Sequence, residues 1–501
     1  MSKTSTQERL SLPPDELVQE LWGDPHIRAD LLALPLHIAA HRAQAAMLLE
    51  QGIVDREDIV KILKALDTIE EQKGSVIPIR PELNDLTTCT ESYLIDVLGE
   101  ETGGRLHTGR SRNDLFMALS RLAVRDRLLV LYGAMLAFRR TLLVRAAEHV
   151  DTLFPGYTHH SQQAQPITFA HFVLAHHDVF ARDGERLRAA FRETNQSPLG
   201  GAALAGTGFP VNRERLAELL GFDGLIENTA DACGSRDYEL QAGSSVAILC
   251  SGLGRLAESL ILYTSAEFGY VELDDACASV SSIMPQKKNP VSLEMVEALC
   301  ARVVGRLSAM FTILKSTTLG MSRETGYVDG ELDAVFSDAT NAVRLCDRAI
   351  QGLNVDVKRS LNSVSSGMST TTELADMLVR HKGLSFRQAH RVVGRAVARA
   401  LAEQKPLDST LVNVVAEEVL GHSLAVDDQF LQTALDARTQ VEARATRGGP
   451  APKETRRMLT ERENALRIDS DWLKEQRRAL SAADRLLGTT VHNILETEDR
   501  R

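Results

Sequence analysis

Apolar residues recur at the three- and four-residue spacing of an α-helix along most of this 501-residue chain, and runs of alternating polarity are scarce. The segment from Leu115 to Val150, LFMALSRLAVRDRLLVLYGAMLAFRRTLLVRAAEHV, holds no proline and one glycine before Phe154-Pro155-Gly156, which predicts a single very long helix. Similar patterns predict long helices from about Phe169 to Thr194, Asp237 to Glu267 and Ser292 to Lys315, parted by joints such as Ser197-Pro198-Leu199-Gly200-Gly201. Helices of this length form an extended bundle whose apolar surface exceeds what one chain covers, so an oligomer is expected. Shorter helical patterns follow Ser363-Val364-Ser365-Ser366-Gly367, and Arg447-Gly448-Gly449-Pro450-Ala451-Pro452 makes a late loop. The expected fold is all-α, with an N-terminal helical domain at 1–110, a central long-helix bundle at 111–365 and a C-terminal helical domain at 366–501.

Composition agrees with this pattern. Only 5% of residues are aromatic and β-branched clusters are few, which argues against a doubly wound α/β fold. A formal charge of −11, with basic residues interspersed among more numerous acids, excludes the basic stripe that a nucleic acid requires. The N-terminus has no apolar run of the secretory kind and no window reaches about 18 uninterrupted apolar residues, so no membrane span and a cytoplasmic location are expected. Six cysteines lie scattered without a C-x-x-C pair, which predicts buried thiols rather than a zinc site or a disulfide framework.

Three polar segments interrupt the helical pattern. Leu106-His107-Thr108-Gly109-Arg110-Ser111-Arg112-Asn113-Asp114 opens directly onto the long helix, and a helix start carrying such donors can hold an anion. The same residues could do no more than cap the helix, through Ser111, Asn113 or Asp114, with the arginines solvated. Gly156-Tyr157-Thr158-His159-His160-Ser161-Gln162-Gln163-Ala164-Gln165-Pro166 is a polar turn between two long apolar helices, where an imidazole could exchange protons or simply pack. His171, His176 and His177 suggest a metal, but their spacing does not form an i,i+4 pair and no carboxylate or cysteine completes the set. Neither metal nor cofactor is expected. The third segment, Ser279-Val280-Ser281-Ser282-Ile283-Met284-Pro285-Gln286-Lys287-Lys288-Asn289-Pro290, is a long loop inside a helical protein, and such loops are usually functional.

Ser-Ser-Ile-Met-Pro-Gln-Lys-Lys-Asn-Pro resembles the signature loop of the fumarase/aspartase superfamily, whose members eliminate fumarate from succinyl compounds. His-Thr-Gly-Arg-Ser-Arg-Asn-Asp at 107–114, Gly-Tyr-Thr-His at 156–159, Ala-Gln-Pro-Ile at 164–167, Ala-Leu-Ala-Gly at 203–206 and Phe-Arg-Gln-Ala-His at 386–390 resemble its argininosuccinate lyase branch. The resemblance implies β-elimination of fumarate from an N-substituted aspartate by a homotetramer. Ser281 would be the general base, with Lys287, Asn289, Asn113 and Thr158 holding the carboxylate that gains charge and Arg112 meeting the substrate carboxylates. His159, paired with Glu294, would serve the leaving group. Ser111, Gln165, Arg236, Ser282 and Met284 complete the implied substrate-binding set.

Charge accumulating on a carboxylate explains why cationic and amide donors belong there, and a serine base needs neighbours that stabilise its oxyanion. Lys287 and main-chain N–H groups are the candidates. The chain departs from the family pattern mainly on the leaving-group side: Val291 replaces an aspartate, Thr87 a histidine, and the 319–330 segment the family's Tyr-Asn-Lys-Asp stretch with the Gln and Lys that follow it. Val280 replaces a glycine before the two serines. The amine could therefore differ from arginine, as in an aminopolycarboxylate, nitrosuccinate or hydrazinosuccinate. A catalytically silent structural homologue and a C–C or C–O lyase are the competing readings. Helix length also predicts active sites shared between subunits, because the motifs at 108–114 and 156–159 flank a helix of roughly 54 Å.

Overall fold

The structure is a computed structural model that describes residues 12–496, so the ends of the expected first and last domains, 1–11 and 497–501, lie outside it. The long helix runs Arg112–Glu148. Ser111 starts it with a capping box, its hydroxyl accepting from the helix backbone while the Asp114 carboxylate accepts from the Ser111 N–H. Four more helices, Phe169–Thr194, Asp237–Thr264, Val291–Leu314 and Gly326–Gln351, lie beside it around a common core that includes Tyr132, Phe138, Phe180, Leu249, Val303 and Val335.

Side-chain bonds fix the direction of each helix. Ser120 bonds to Tyr238, Glu239 and Asp329, so the helices beginning at Arg112, Asp237 and Gly326 start at one end of the bundle. Arg145 reaches the Leu353 carbonyl at the other end. Arg121 donates to the carbonyls of Glu193 and Thr194, which shows that Phe169–Thr194 runs the opposite way. The Asp237–Thr264 helix is long and apolar enough to cross a membrane by length and composition, which a search for uninterrupted apolar runs overlooks, and half of that stretch is buried in the protein.

Two expectations change. The 156–166 turn is a β-hairpin, Leu153–Thr158 paired antiparallel with Gln162–Thr168 and bulged between Pro155 and Tyr157. Its strands hide because only their outer ends carry apolar residues, Leu153, Phe154 and Ile167, while proline, glycine and glutamine fill the middle. Gly156 is required there, since a Cβ would lie 2.6 Å from the Gln165 carbonyl oxygen. The second change concerns 366–501. The C-terminal core closes within Leu374 to Ala434, and the 45-residue helix Pro452–Glu496 then leaves it. That helix places Met458, Leu466 and Leu473 in the bundle core and Leu487, Val491 and Ile494 in the N-terminal core. Arg462 on Asp178 and Arg139 on Asp469 pin it along the bundle. A helix of about 68 Å cannot fold back on so small a domain.

Candidate active site

At the end of the bundle where the long helix starts, the 107–114 turn is clamped from three sides. The buried Asp114 carboxylate accepts from the N–H groups of Gly200 and Ala202 at 3.0 Å each, which ties the 200–203 loop across the helix start. Asn113 adds a bond from its amide to the Ala203 carbonyl at 3.2 Å. Arg112 donates to Asp85 at 2.9 Å, and Asp85 is itself buried while capping the next helix through the Thr88 N–H at 2.7 Å. Burial lowers Arg110 to about 10, against the opposing pull of Asp114 and Glu91, so this arginine is not the solvated side chain of the capping reading. Arg236, expected to bind substrate, is 6% exposed and held by Glu239 at 2.7 Å and Asp329 at 3.2 Å. It is part of the site's frame rather than an open donor.

At the opposite end, the hairpin tip carries Thr158 and His159. His159, His160 and Ser161 all have positive φ, 47°, 53° and 70°, a conformation that costs a non-glycine residue on the order of 1 kcal/mol each. The Thr158 hydroxyl and His159 Nδ1 are 3.0 Å apart, and both side chains are open to solvent, as is Gln165. The base of the hairpin is anchored by Tyr157, whose hydroxyl bonds Tyr270 at 2.6 Å, and Tyr270 bonds Ser363 at 2.8 Å.

The signature loop leaves the same end. A short antiparallel ladder pairs Ser279 with Asn289 and Val280 with Lys288, closing the loop at its neck. Inside it, Ser281 Oγ accepts from the N–H groups of Ile283 at 3.3 Å and Met284 at 3.1 Å. The two lysines part company. Lys288 is paired with Glu272 at 2.9 Å and Asp275 at 2.8 Å, whereas Lys287 Nζ has no ion pair or hydrogen bond among the described residues. Ser282, Met284 and Ile283 are exposed, the last at 83%. Asn289 touches Ser279 weakly at 3.5 Å, and Glu294 lies exposed in the first turn of Val291–Leu314.

Within one chain the expected residues therefore form two groups. Thr158, His159, Gln165, Ser281, Ser282, Met284, Lys287, Asn289 and Glu294 occupy one end; Ser111, Arg112, Asn113 and Arg236 occupy the other, roughly 55 Å away along the 37-residue helix. The His159–Glu294 couple is not formed inside one chain. Asp85 and Asp114, which orient Arg112 and the 200–203 loop, were not singled out as functional from the sequence. Only the Ser111-to-Asp114 capping spacing pointed to the second of them.

Two family descriptions fit this chain: Lyase over residues 27–305 and Argininosuccinate lyase C-terminal over 368–442. It is 37% identical over 483 residues to argininosuccinate lyase 1 of Shouchella clausii, spanning 95% of this chain and 97% of that one. To argininosuccinate lyase of Methanosarcina barkeri it is 38% identical over 502 residues, with 99% of each covered. The chain belongs to the argininosuccinate lyase family. It is thus a carbon–nitrogen lyase of the fumarase/aspartase superfamily that eliminates fumarate from an N-substituted aspartate. Among solved structures, EDDS lyase in complex with formate superposes with a TM-score of 0.87 at 32% identity, over 94% of this chain and 93% of that one. The class II fumarase of Schistosoma mansoni shares the fold alone, with a TM-score of 0.67 at 16% identity over 81% and 90%.

Proposed function

We propose that Ser281 is the general base of this lyase, acting as an alkoxide. The observation that carries the reading is the pair of main-chain N–H groups donating to Ser281 Oγ, together with a nearby lysine, Lys287, whose ammonium has no partner among the described residues. Both stabilise an oxyanion, which a serine needs before it can act as a base. The alkoxide takes a proton from the carbon beside one carboxylate of the aspartate moiety. The freed electron pair forms the C=C bond of fumarate, the C–N bond breaks, and the nitrogen leaves as an amine after gaining a proton. Lys287, Asn289, Asn113 and Thr158 meet the carboxylate that gains charge, Arg112 the substrate carboxylates, and His159 with Glu294 the departing nitrogen.

These groups act in one site only if subunits share it, so the working form is a cytosolic homotetramer with composite sites. Support comes from the roughly 55 Å that separate the two groups in one chain and from the exposed apolar side chains Val280, Ile283, Met295, Val304 and Phe311 on the loop and the Val291–Leu314 helix. Arginine is one leaving group; amines of aminopolycarboxylates are another, consistent with the likeness to EDDS lyase. Incubating the pure protein with fumarate and a panel of amines, while following fumarate absorbance, tests the reading. Amine-dependent loss of fumarate is expected. No loss with any amine, and no fumarate from argininosuccinate, would sink it.

A further inference from the structure

The 319–330 segment, which departs from the family pattern, carries a cation with no carboxylate ion-paired to it among the described residues. Arg323 lies over the Trp22 ring at 4.7 Å, and among the described residues it has no ion pair or hydrogen bond from its side chain. Trp22 is held as a platform. It stacks on His26 at 4.9 Å and meets Tyr327 at 5.5 Å, while His26 meets Phe116 on the long helix at 6.1 Å. Gly326 makes room for it: a Cβ there would lie 2.6 Å from the indole ring. The Trp22 indole N–H is buried with no acceptor among the described residues, leaving a second donor unused on this platform.

Among the described residues, the acids of this cluster have other partners. Asp85 is bound by Arg112 and the Thr88 N–H. Asp329 is bound by Arg236 and Ser120. Asp30 accepts from the Leu86 N–H, and its carboxyl is pushed up to about 7 by burial, so only about half of it is ionised at neutrality. Glu324 is turned to its own turn and Ser322. The basicity of Arg323 is lowered, first by burial and then by the neighbouring Arg112, and Asp85, which opposes them, is shared with Arg112. On the other flank of the composite site, Val291 supplies no carboxylate. The leaving-group side therefore lacks the anion at 291 and presents the cation Arg323, the reverse of what a second ammonium or guanidinium on the amine would need.

We propose that Arg323, displayed on Trp22 beside Arg112, recognises a carboxylate on the departing amine, so that the favoured substrates are aspartates N-substituted by a carboxylate-bearing amine without a second cationic group. This rests on the lyase reading and specifies its substrate class. A charge-assisted bond from a guanidinium to a carboxylate contributes on the order of tenfold or more in recognition.

The test runs the reaction in the direction of addition: the amine lone pair forms the C–N bond to fumarate, and the neighbouring carbon takes up a proton. Matched amines with and without a terminal carboxylate are compared, glycine with methylamine, β-alanine with ethylamine and γ-aminobutyrate with propylamine, together with 1,3-diaminopropane. The wild type should favour at least one carboxylate-bearing amine over its partner by about tenfold or more in kcat/KM. R323Q should collapse that ratio towards one, and R323E should shift preference towards the diamine, a change that a merely structural role would not produce. Equal rates for matched partners, or a ratio that survives R323Q, overturns the proposal while leaving the lyase reading standing. Consumption of no amine at all counts against the lyase reading instead, and binding then decides the present one. Trp22 and Trp472 are the two tryptophans, so W472F leaves Trp22 as the reporter. Saturable change of its emission by γ-aminobutyrate or glycine, lost in R323Q, upholds the proposal; no change, or change retained in R323Q, overturns it.

Discussion

At the scale of single residues, the loop separates groups that the sequence lists side by side. Lys287 and Lys288 are neighbours of the same type, yet Lys288 is spent on Glu272 and Asp275 while Lys287 has no partner among the described residues. Lys287→Ala should therefore lower kcat and raise KM together, because its charge meets the ground-state carboxylate and its transition-state form alike. Lys288→Ala should act through loop position and cost less; steady-state kinetics showing the opposite order would reverse the assignment. Ser281→Ala should reduce kcat by about a hundredfold or more with little change in substrate binding, since it removes the base and almost no contact area. A variant retaining a tenth of the parent rate would rule Ser281 out as the base. Val291→Asp restores a carboxylate beside Asn289-Pro290 and should raise kcat/KM for argininosuccinate by about tenfold. If it does not, the obstacle lies in the 319–330 segment.

At the scale of elements, helix boundaries were legible and the hairpin was not. Phe169 and Thr194 bound a helix just where the apolar period places it, because a 26-residue amphipathic stretch with Thr168 as cap leaves one low-energy local solution. The hairpin depends on a bulge at Pro155 to Tyr157 and on Tyr157 reaching Tyr270, contacts remote in sequence and invisible to periodicity. The last helix likewise owes its path to long-range pairing. Burial works to raise the Asp178 carboxyl, but hydrogen bonds from His177 and Arg462 outweigh it and hold the group at about 2. An unfolded aspartate titrates near 3.9, so this pairing contributes its full stability above about pH 4 and loses it as pH falls towards about 2. Asp178→Asn should melt a few degrees below the parent at pH 6, and the gap should close near pH 2. The group is partly exposed, so solvent screening keeps the effect small. A constant gap across that range would remove the pairing as its cause.

At the scale of the whole molecule, the decisive quantity is the length of Arg112–Glu148, which keeps Asn113 and His159 at opposite ends of the bundle. Asn113→Ala and His159→Asn should each be inactive alone. Co-refolded in equal amounts they should recover roughly a quarter of native activity, since a composite site draws each segment intact with a chance of about one half. Mixed oligomers seen by mass spectrometry with no recovered activity would show that each site is built within one chain.

The sequence by itself determined the all-helical bundle, its long-helix boundaries and the signature loop from Ser279 to Pro290, because local periodicity, caps and a contiguous motif are properties of neighbouring residues. It also carried the residue types that the chemistry needs. Only the tertiary structure decided which of them are available. Arg236 is buried against Glu239 and Asp329, Arg112 is steered by Asp85, Lys288 is neutralised, and Lys287 and Arg323 have no ion pair among the described residues. Each of these outcomes turns on where a distant carboxylate comes to rest. Ion pairing depends on distance in space, and the spacing of residues along the chain carries no record of it.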